Sequence, residues 1–336
     1  MKITISVFSF FYAFISFAQT GGEHVYSFLN FSTSARQTAL GGSVLTFTDN
    51  VNQPLWNPGT INADMHGKVS VNYVNYLADI SYASTSYAHK VSERLGTFHS
   101  GITYLNYGEM IGADEDGNET GAFKAYEMAF SVGYAYAIPN SSFRVGVNAK
   151  VVNSVIEQFS SLGIATDIGV LYQNDEKPYR FALVARNLGV MLKSYDGTRE
   201  SLPFQVQLGG SYQPAHVPVR LYTTIDNLQQ FQLAYFNPSD QTTDFFGTVT
   251  KEEPSGFSNI SRHFVFGAEL FPEKRFNLRM GYNVQRAVEL RLKEIRTFSG
   301  LSFGFGLKVK RYKLNYSYSK YHPVSDSHSF ALLIDL

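Results

Sequence analysis

Beyond residue 66 the chain alternates apolar and polar or small residues with a period of two, over segments of about ten residues. Tyr126, Met128, Phe130, Val132, Tyr134 and Tyr136 form one apolar face; Phe143, Val145, Val147, Ala149 and Val151 form another; Leu301, Phe303, Phe305, Leu307 and Val309 a third. Between them stand residues such as Gly133, Asn148, Gly304 and Gly306. This pattern predicts strands near 67–77, 79–90, 95–107, 123–138, 142–154, 162–173, 179–189, 203–213, 218–228, 261–271, 275–285, 298–309, 311–320 and 327–336. The fold class it predicts is all-β: a transmembrane antiparallel barrel of about fourteen strands, an even number as in bacterial outer-membrane barrels.

Connection lengths test that reading independently. With both ends of the barrel in the periplasm, the inner links are short: "VSER", "PNS", "NDEK", "PAHV", "PEK" and a tight turn near Lys310. The outward links at 108–122, 189–202, 229–260 and 286–297 are long. A soluble sandwich also has many strands, but its connections have no reason to alternate in length. Phe330, Leu332, Ile334 and Leu336 alternate to the carboxyl end, so the last strand is able to close on the first and leave no edge.

The first 66 residues behave differently. Met1 and Lys2, the apolar run 3–17, then Ser16 and Ala18 read as an export signal over 1–18, because the run is shorter than the ~20 apolar residues of a spanning helix. Residues 19–66 lack the period of two yet carry Val25, Phe28, Leu29, Phe31, Leu40, Leu45 and Trp56, which must be buried somewhere. The barrel lumen is the available place, with residues 67–336 as the wall. Arg36, Asp49, Asn50, Asn52 and Asn57 would find partners in a polar lumen, and Gly41-Gly42 would permit a sharp turn or a close backbone approach. The segment is expected to be a hatch.

Composition narrows the chemistry. The chain has no cysteine, which removes disulfides, thiolate metal sites, a thiol nucleophile and a lipoprotein acyl site. Lysine plus arginine and aspartate plus glutamate balance at 28 each, so no net field points to nucleic acid. A mean hydropathy of -0.13 argues against a helical membrane protein. The 28 Phe, 22 Tyr and 27 Gly suit strands with aromatic girdles and glycine-relieved curvature.

No catalytic constellation emerges, so the chain is read as a non-enzyme without a cofactor. There is no Gly-x-Ser-x-Gly elbow, and the eight histidines are scattered without metal spacing. "GLSFGFG" at 300–306 fits strand glycines better than a phosphate loop, since no helix follows. "ADEDGNET" at 113–120 offers hard oxygens from Asp114, Glu115, Asp116 and Glu119, but it lacks the EF-hand spacing and reads as a solvated turn. The long outward link 229–260 carries Phe231, Tyr235, Phe236, Phe245, Phe246 and Phe257. Those aromatics either fold onto the rim or form a docking surface.

"ARQTALGGS" followed by "TDNVNQPLWNPG" resembles the hatch of the long-chain fatty acid transporter (FadL-like) superfamily of outer-membrane barrels. There an Ala/Met-Gly-Gly turn precedes an Asp and an Asn-Pro-Ala triplet. The residues that carry the likeness are Arg36, Gly41, Gly42, Asp49, Trp56, Asn57, Pro58 and Gly59, the triplet departing from the pattern at Gly59. The wording of this stretch and the modest chain length are similar to the PorV/PorQ group of the type IX secretion system of Bacteroidetes, on its PorQ side. That resemblance implies a barrel in outer-membrane lipid that anchors a surface attachment-complex partner, PorZ-like, for cargo processing. The alternative is a FadL-like transporter of hydrophobic small molecules.

Overall fold

The computed structural model describes residues 24–32, 34–77, 79–234, 242–243, 249–250, 255–290, 298–321 and 325–336. The expected export signal at 1–18 lies outside them. Fourteen antiparallel strands close into one barrel: β1 (Lys68–Leu77), β2 (Ile80–Ser92), β3 (Gly96–Ala113), β4 (Glu119–Ala137), β5 (Phe143–Ile156), β6 (Phe159–Gln173), β7 (Tyr179–Lys193), β8 (Gln205–Tyr212), β9 (Val219–Ile225), β10 (Phe264–Leu270), β11 (Phe276–Asn283), β12 (Leu301–Val309), β13 (Tyr312–Lys320) and β14 (Asp326–Asp335). β1 pairs with β14 from Lys68 opposite Asp335 to Asn75 opposite His328, so the sheet has no free edge.

The strands are the reverse of those in a soluble protein. Phe130, Val132, Val147, Val151, Ile164, Phe303 and Phe305 are exposed, whereas Ser131, Asn148, Lys150, Ser154 and Asp167 on the other face are buried. An apolar outside and a polar inside is what a lipid-facing barrel requires. Among the described residues no helix is long and apolar enough to cross a membrane; the crossing is made by strands.

Some expected links are corrected by the ladder. The stretch 108–122 is not a loop: Glu109 pairs with Lys124 and Gly112 with Gly121, carrying β3 and β4 beyond the barrel as a ribbon. Cross-strand hydrogen bonding outweighs the poor strand propensity of its Gly and Glu residues. The outward link at 157–158 is a two-residue turn, with Glu157 at φ 55. The inner turn at Lys310 is as tight as expected, with φ 53.

The described residues of the segment, 24–32 and 34–66, fill the lumen. α1 (Ala35–Ala39) starts where Ser34 Oγ accepts the Gln37 N–H at 3.2 Å, and short 3-10 turns follow at Gln53–Leu55, Pro58–Thr60 and Ala63–Met65. Val25, Tyr26, Phe28 and Leu29 pack with Val74, Tyr82, Leu105 and Val152 of the wall. On the polar side Asn52 Oδ1 accepts from Ser86, Asn72, Ser70 and Ser84 at 3.0–3.4 Å, joining the hatch to β1 and β2.

Glycines in the wall make room for this segment. A Cβ on Gly146 would fall on the Pro58 carbonyl, and one on Gly169 would fall on Asn57 Oδ1. A Cβ on Gly59 itself would lie 2.9 Å from the Gly169 oxygen, which accounts for glycine where the related triplet has alanine. Gly41 and Gly42, at φ 97 and 96, make the sharp turn, and a Cβ on Gly281 would meet the Leu40–Gly41 backbone. Gly146→Val should therefore unseat the 58–60 turn, at a cost of about 1–3 kcal/mol of overpacking. The expected outcome is a barrel that still shows heat-modifiable migration in SDS gels but has raised ion conductance in planar bilayers. Unchanged conductance would show that this contact does not seal the lumen.

Candidate functional site: an aromatic vestibule above the hatch

On the long-loop side, strand ends and the top of the hatch enclose a cavity of about 180 Å³. Phe31, Trp56, Tyr76, Tyr82 and Tyr321 give it aromatic walls, and Arg286 gives it a charge. Phe31 stacks on Tyr76 at 5.1 Å between ring centroids and meets Tyr82 edge-on at 6.1 Å; Tyr76 lies 4.9 Å from Tyr321. These rings come from β1, β2, the hatch and the end of β13, so the barrel closure brings them together.

Arg286 is placed by α3 (Val284–Glu289), whose cap is Asn283 Oδ1 accepting the Arg286 N–H at 2.9 Å. Its guanidinium lies 4.2 Å above the Tyr321 ring and donates from Nη2 to the Gly41 carbonyl at 3.0 Å. Gly41 and Gly42 thus form part of the cavity floor. Trp56 is 2% exposed and carries the Arg186 guanidinium 3.6 Å over its ring. Arg186 in turn donates to the Leu29 carbonyl at 2.7 Å, which fixes the indole and the first hatch turn together.

Below the vestibule the hatch is held by a cluster of charges. Arg36 donates to both oxygens of Asp49 at 2.7 and 2.8 Å and to both of Glu269 at 3.1 and 2.7 Å. Glu269 also accepts from Arg279 Nε at 2.8 Å and from the Tyr222 hydroxyl at 2.9 Å, while Lys313 approaches Asp49 at 3.7 Å. Asp49 keeps 45% of its side chain open. Desolvation works against its ionisation, but Arg36 and then Lys313 outweigh that and hold the carboxyl well below its usual range.

The expected site residues therefore divide into three groups. Gly41, Gly42 and Trp56 line the vestibule; Arg36 and Asp49 belong to the charge cluster; Asn57, Pro58 and Gly59 dock on the wall. Of the expected docking loop, Phe231 and Phe257 are 78% and 82% exposed at the outer rim, and Phe257 sits on α2 (Gly256–Ser261). Tyr235, Phe236, Phe245 and Phe246 lie outside the described residues. The sequence reading missed Tyr76, Tyr82, Arg286 and Tyr321, because aromatics at strand ends read equally well as lipid girdle. The acidic stretch at 113–120 turns at 114–118 between the ends of β3 and β4: Asp114 Oδ1 accepts from the Asp116 and Asn118 N–H groups at 3.0 and 2.8 Å, and Asn118 holds that carboxyl below its usual range.

No family model and no curated protein matches the chain in sequence. Solved structures do match it in fold. The toluene transporter TbuX of Ralstonia pickettii aligns over 93% of this chain and 100% of its own, with a TM-score of 0.53 and 12% identity. The monoaromatic hydrocarbon channel TodX, as a deltaS2 mutant, covers 91% and 98% with a TM-score of 0.53 and 12% identity. The monoaromatic hydrocarbon channel CymD covers 91% and 98% at 0.50 and 12%. The chain thus shares the barrel fold of these three proteins.

Two outcomes are expected for the charge cluster. Arg36→Gln leaves Glu269 and Asp49 each short of a cation and should lower stability by about 3–5 kcal/mol in urea unfolding of the folded barrel. The second concerns acid. The folded Asp49 carboxyl titrates below the unfolded value of about 3.9, so its stabilisation is complete at neutral pH and is lost only as pH falls through the folded value. Melting temperature should hold from pH 7 to about pH 4 and drop below it, and Asp49→Asn should flatten that drop.

Proposed function

We propose that the protein admits small hydrophobic molecules from the cell exterior into the vestibule and releases them sideways through the barrel wall. One observation carries this reading: three spaces lie one beyond another, each sharing a lining residue with the next. The vestibule and an inner gap of about 10 Å³ both border on Tyr82. That gap and a hollow of about 420 Å³ in the lipid-facing wall both border on Lys150. The inner gap is at the size limit for one water, about 10–15 Å³, so the route is shut at rest and opens by movement of Tyr82 and Lys150.

The wall is built irregularly where the hollow lies. Register shifts between Thr166 and Ile168, opposite a β7 residue, Asn187, with φ 58. The Lys150 ammonium holds this bulge shut, 2.7 Å from Asp167 Oδ2 and 2.9 Å from Asn187 Oδ1. A fold shared with a toluene transporter and two hydrocarbon channels supports the same reading, although a fold alone does not fix a function. The apolar outer face of the barrel supports placement in an outer membrane.

A second reading, anchorage of a PorZ-like surface protein in a type IX attachment complex, draws on the hatch wording and on Phe231 and Phe257 at the outer rim. The two readings separate experimentally. Cells that express the protein should take up labelled toluene faster than cells without it, and Ala149→Phe, which fills the wall hollow from the lipid side, should cut uptake several-fold. Uptake indifferent to Ala149→Phe removes the sideways route, and uptake at background removes transport. Deleting 231–256 should leave uptake intact; loss of a stoichiometric surface protein from detergent pull-downs on that deletion would favour anchorage.

A further inference from the structure

We infer that the vestibule selects a single flat ring bearing an anionic acceptor head, such as an aromatic carboxylate, over the plain hydrocarbon. This rests on the proposed reading of the cavity as a ligand site and adds the chemistry of the ligand's head.

Buried donors without acceptors point to it. Trp56 Nε1 and Arg286 Nη1 are both buried and have no hydrogen-bond partner among the described residues. A buried donor left unmade costs free energy, and a charged one costs more. A plain hydrocarbon leaves the Arg286 guanidinium without an acceptor; a carboxylate is the acceptor whose geometry a guanidinium fits best.

The charges around the cavity agree. Among the described residues Arg286 has no carboxylate within ion-pair distance, and neither has Arg186, which covers the Trp56 ring. Asp226 is the acid in the lining, and its Oδ1 already accepts from Ser43 Oγ at 2.8 Å and Gln207 Nε2 at 2.7 Å. One lining guanidinium without an acid of its own, against one acid that is already hydrogen-bonded, leaves the site an attractor of negative charge. Size limits the body of the ligand: a cavity of about 150 Å³ accommodates benzene, so about 180 Å³ suits one substituted ring. Phe31, Tyr76 and Tyr321 supply faces for it to stack on.

Trp56 is the chain's single tryptophan, so its emission reports on this cavity alone. Purified full-length protein in detergent at pH 7 would be titrated with toluene, benzoate and benzamide while that emission is followed. The expected result is benzoate binding about 10- to 100-fold tighter than toluene, the gain of a charge-assisted hydrogen bond. Benzamide should fall between them. Arg286→Gln should bring the ratio of benzoate to toluene affinity down to about one, whatever it does to toluene binding itself, and Arg286→Lys should restore part of that ratio. Toluene binding as tightly as benzoate, or a preference unaltered by Arg286→Gln, overturns the inference but leaves the cavity as a ligand site. No response to any of the three overturns both.

Discussion

Glu269 is a carboxylate with no solvent exposure on a strand that crosses a membrane, and it has to be neutralised where it stands. Arg279, next to it on the wall, balances its charge but donates to only one of its oxygens; Arg36, which the hatch brings in, donates to both. Completing the hydrogen bonds of this buried acid and seating the hatch are therefore one event. From that fixed point the rest is positioned: α1 ends in the Gly41-Gly42 turn, the Gly41 carbonyl receives Arg286, and Arg286 lies against Tyr321. The floor and one side of the vestibule are thus referred to a single buried acid.

The barrel was legible in the sequence because its rule is local. Whether a strand residue faces lipid or lumen follows from its parity, and Phe130, Ser131 and Val132 obey that rule without knowledge of any neighbour. The extension of β3 and β4 to Ala113 and Glu119 was hidden, since Gly108, Glu109 and Gly112 look like loop residues until the partner strand is beside them. The hatch was legible only as a segment that needed burial. Its contacts are set by residues far away in the chain: Arg36 meets Glu269 across 233 positions. The vestibule was not legible at all, because Tyr76 and Tyr321 become neighbours only when the first and last strands pair. No periodicity records a meeting of that kind.

The two functional readings draw on different ends of one molecule. Transport uses what the hatch and wall enclose, with Tyr82 and Lys150 as the narrow points. Anchorage uses what the outer rim displays, at Phe231 and Phe257. Neither surface intrudes on the other, and a barrel with a sealed lumen tolerates both. The buried charges, meanwhile, are engaged in holding the hatch and wall together.

The hatch touches both halves of the barrel, and this governs the order in which it can be held. The 58–60 turn lies against β4, β5 and β6, which are complete by residue 173. α1 lies against β11 to β14, and the Gly41 N–H donates to Ser302, 261 positions later. Contacts so distant in sequence form late, after their loops have closed. A partly assembled barrel consequently carries a hatch gripped at 25–29 and at 58–60 and loose between them at α1, with the Arg36 guanidinium still lacking Glu269. An early-synthesised turn is the last part of the hatch to be locked.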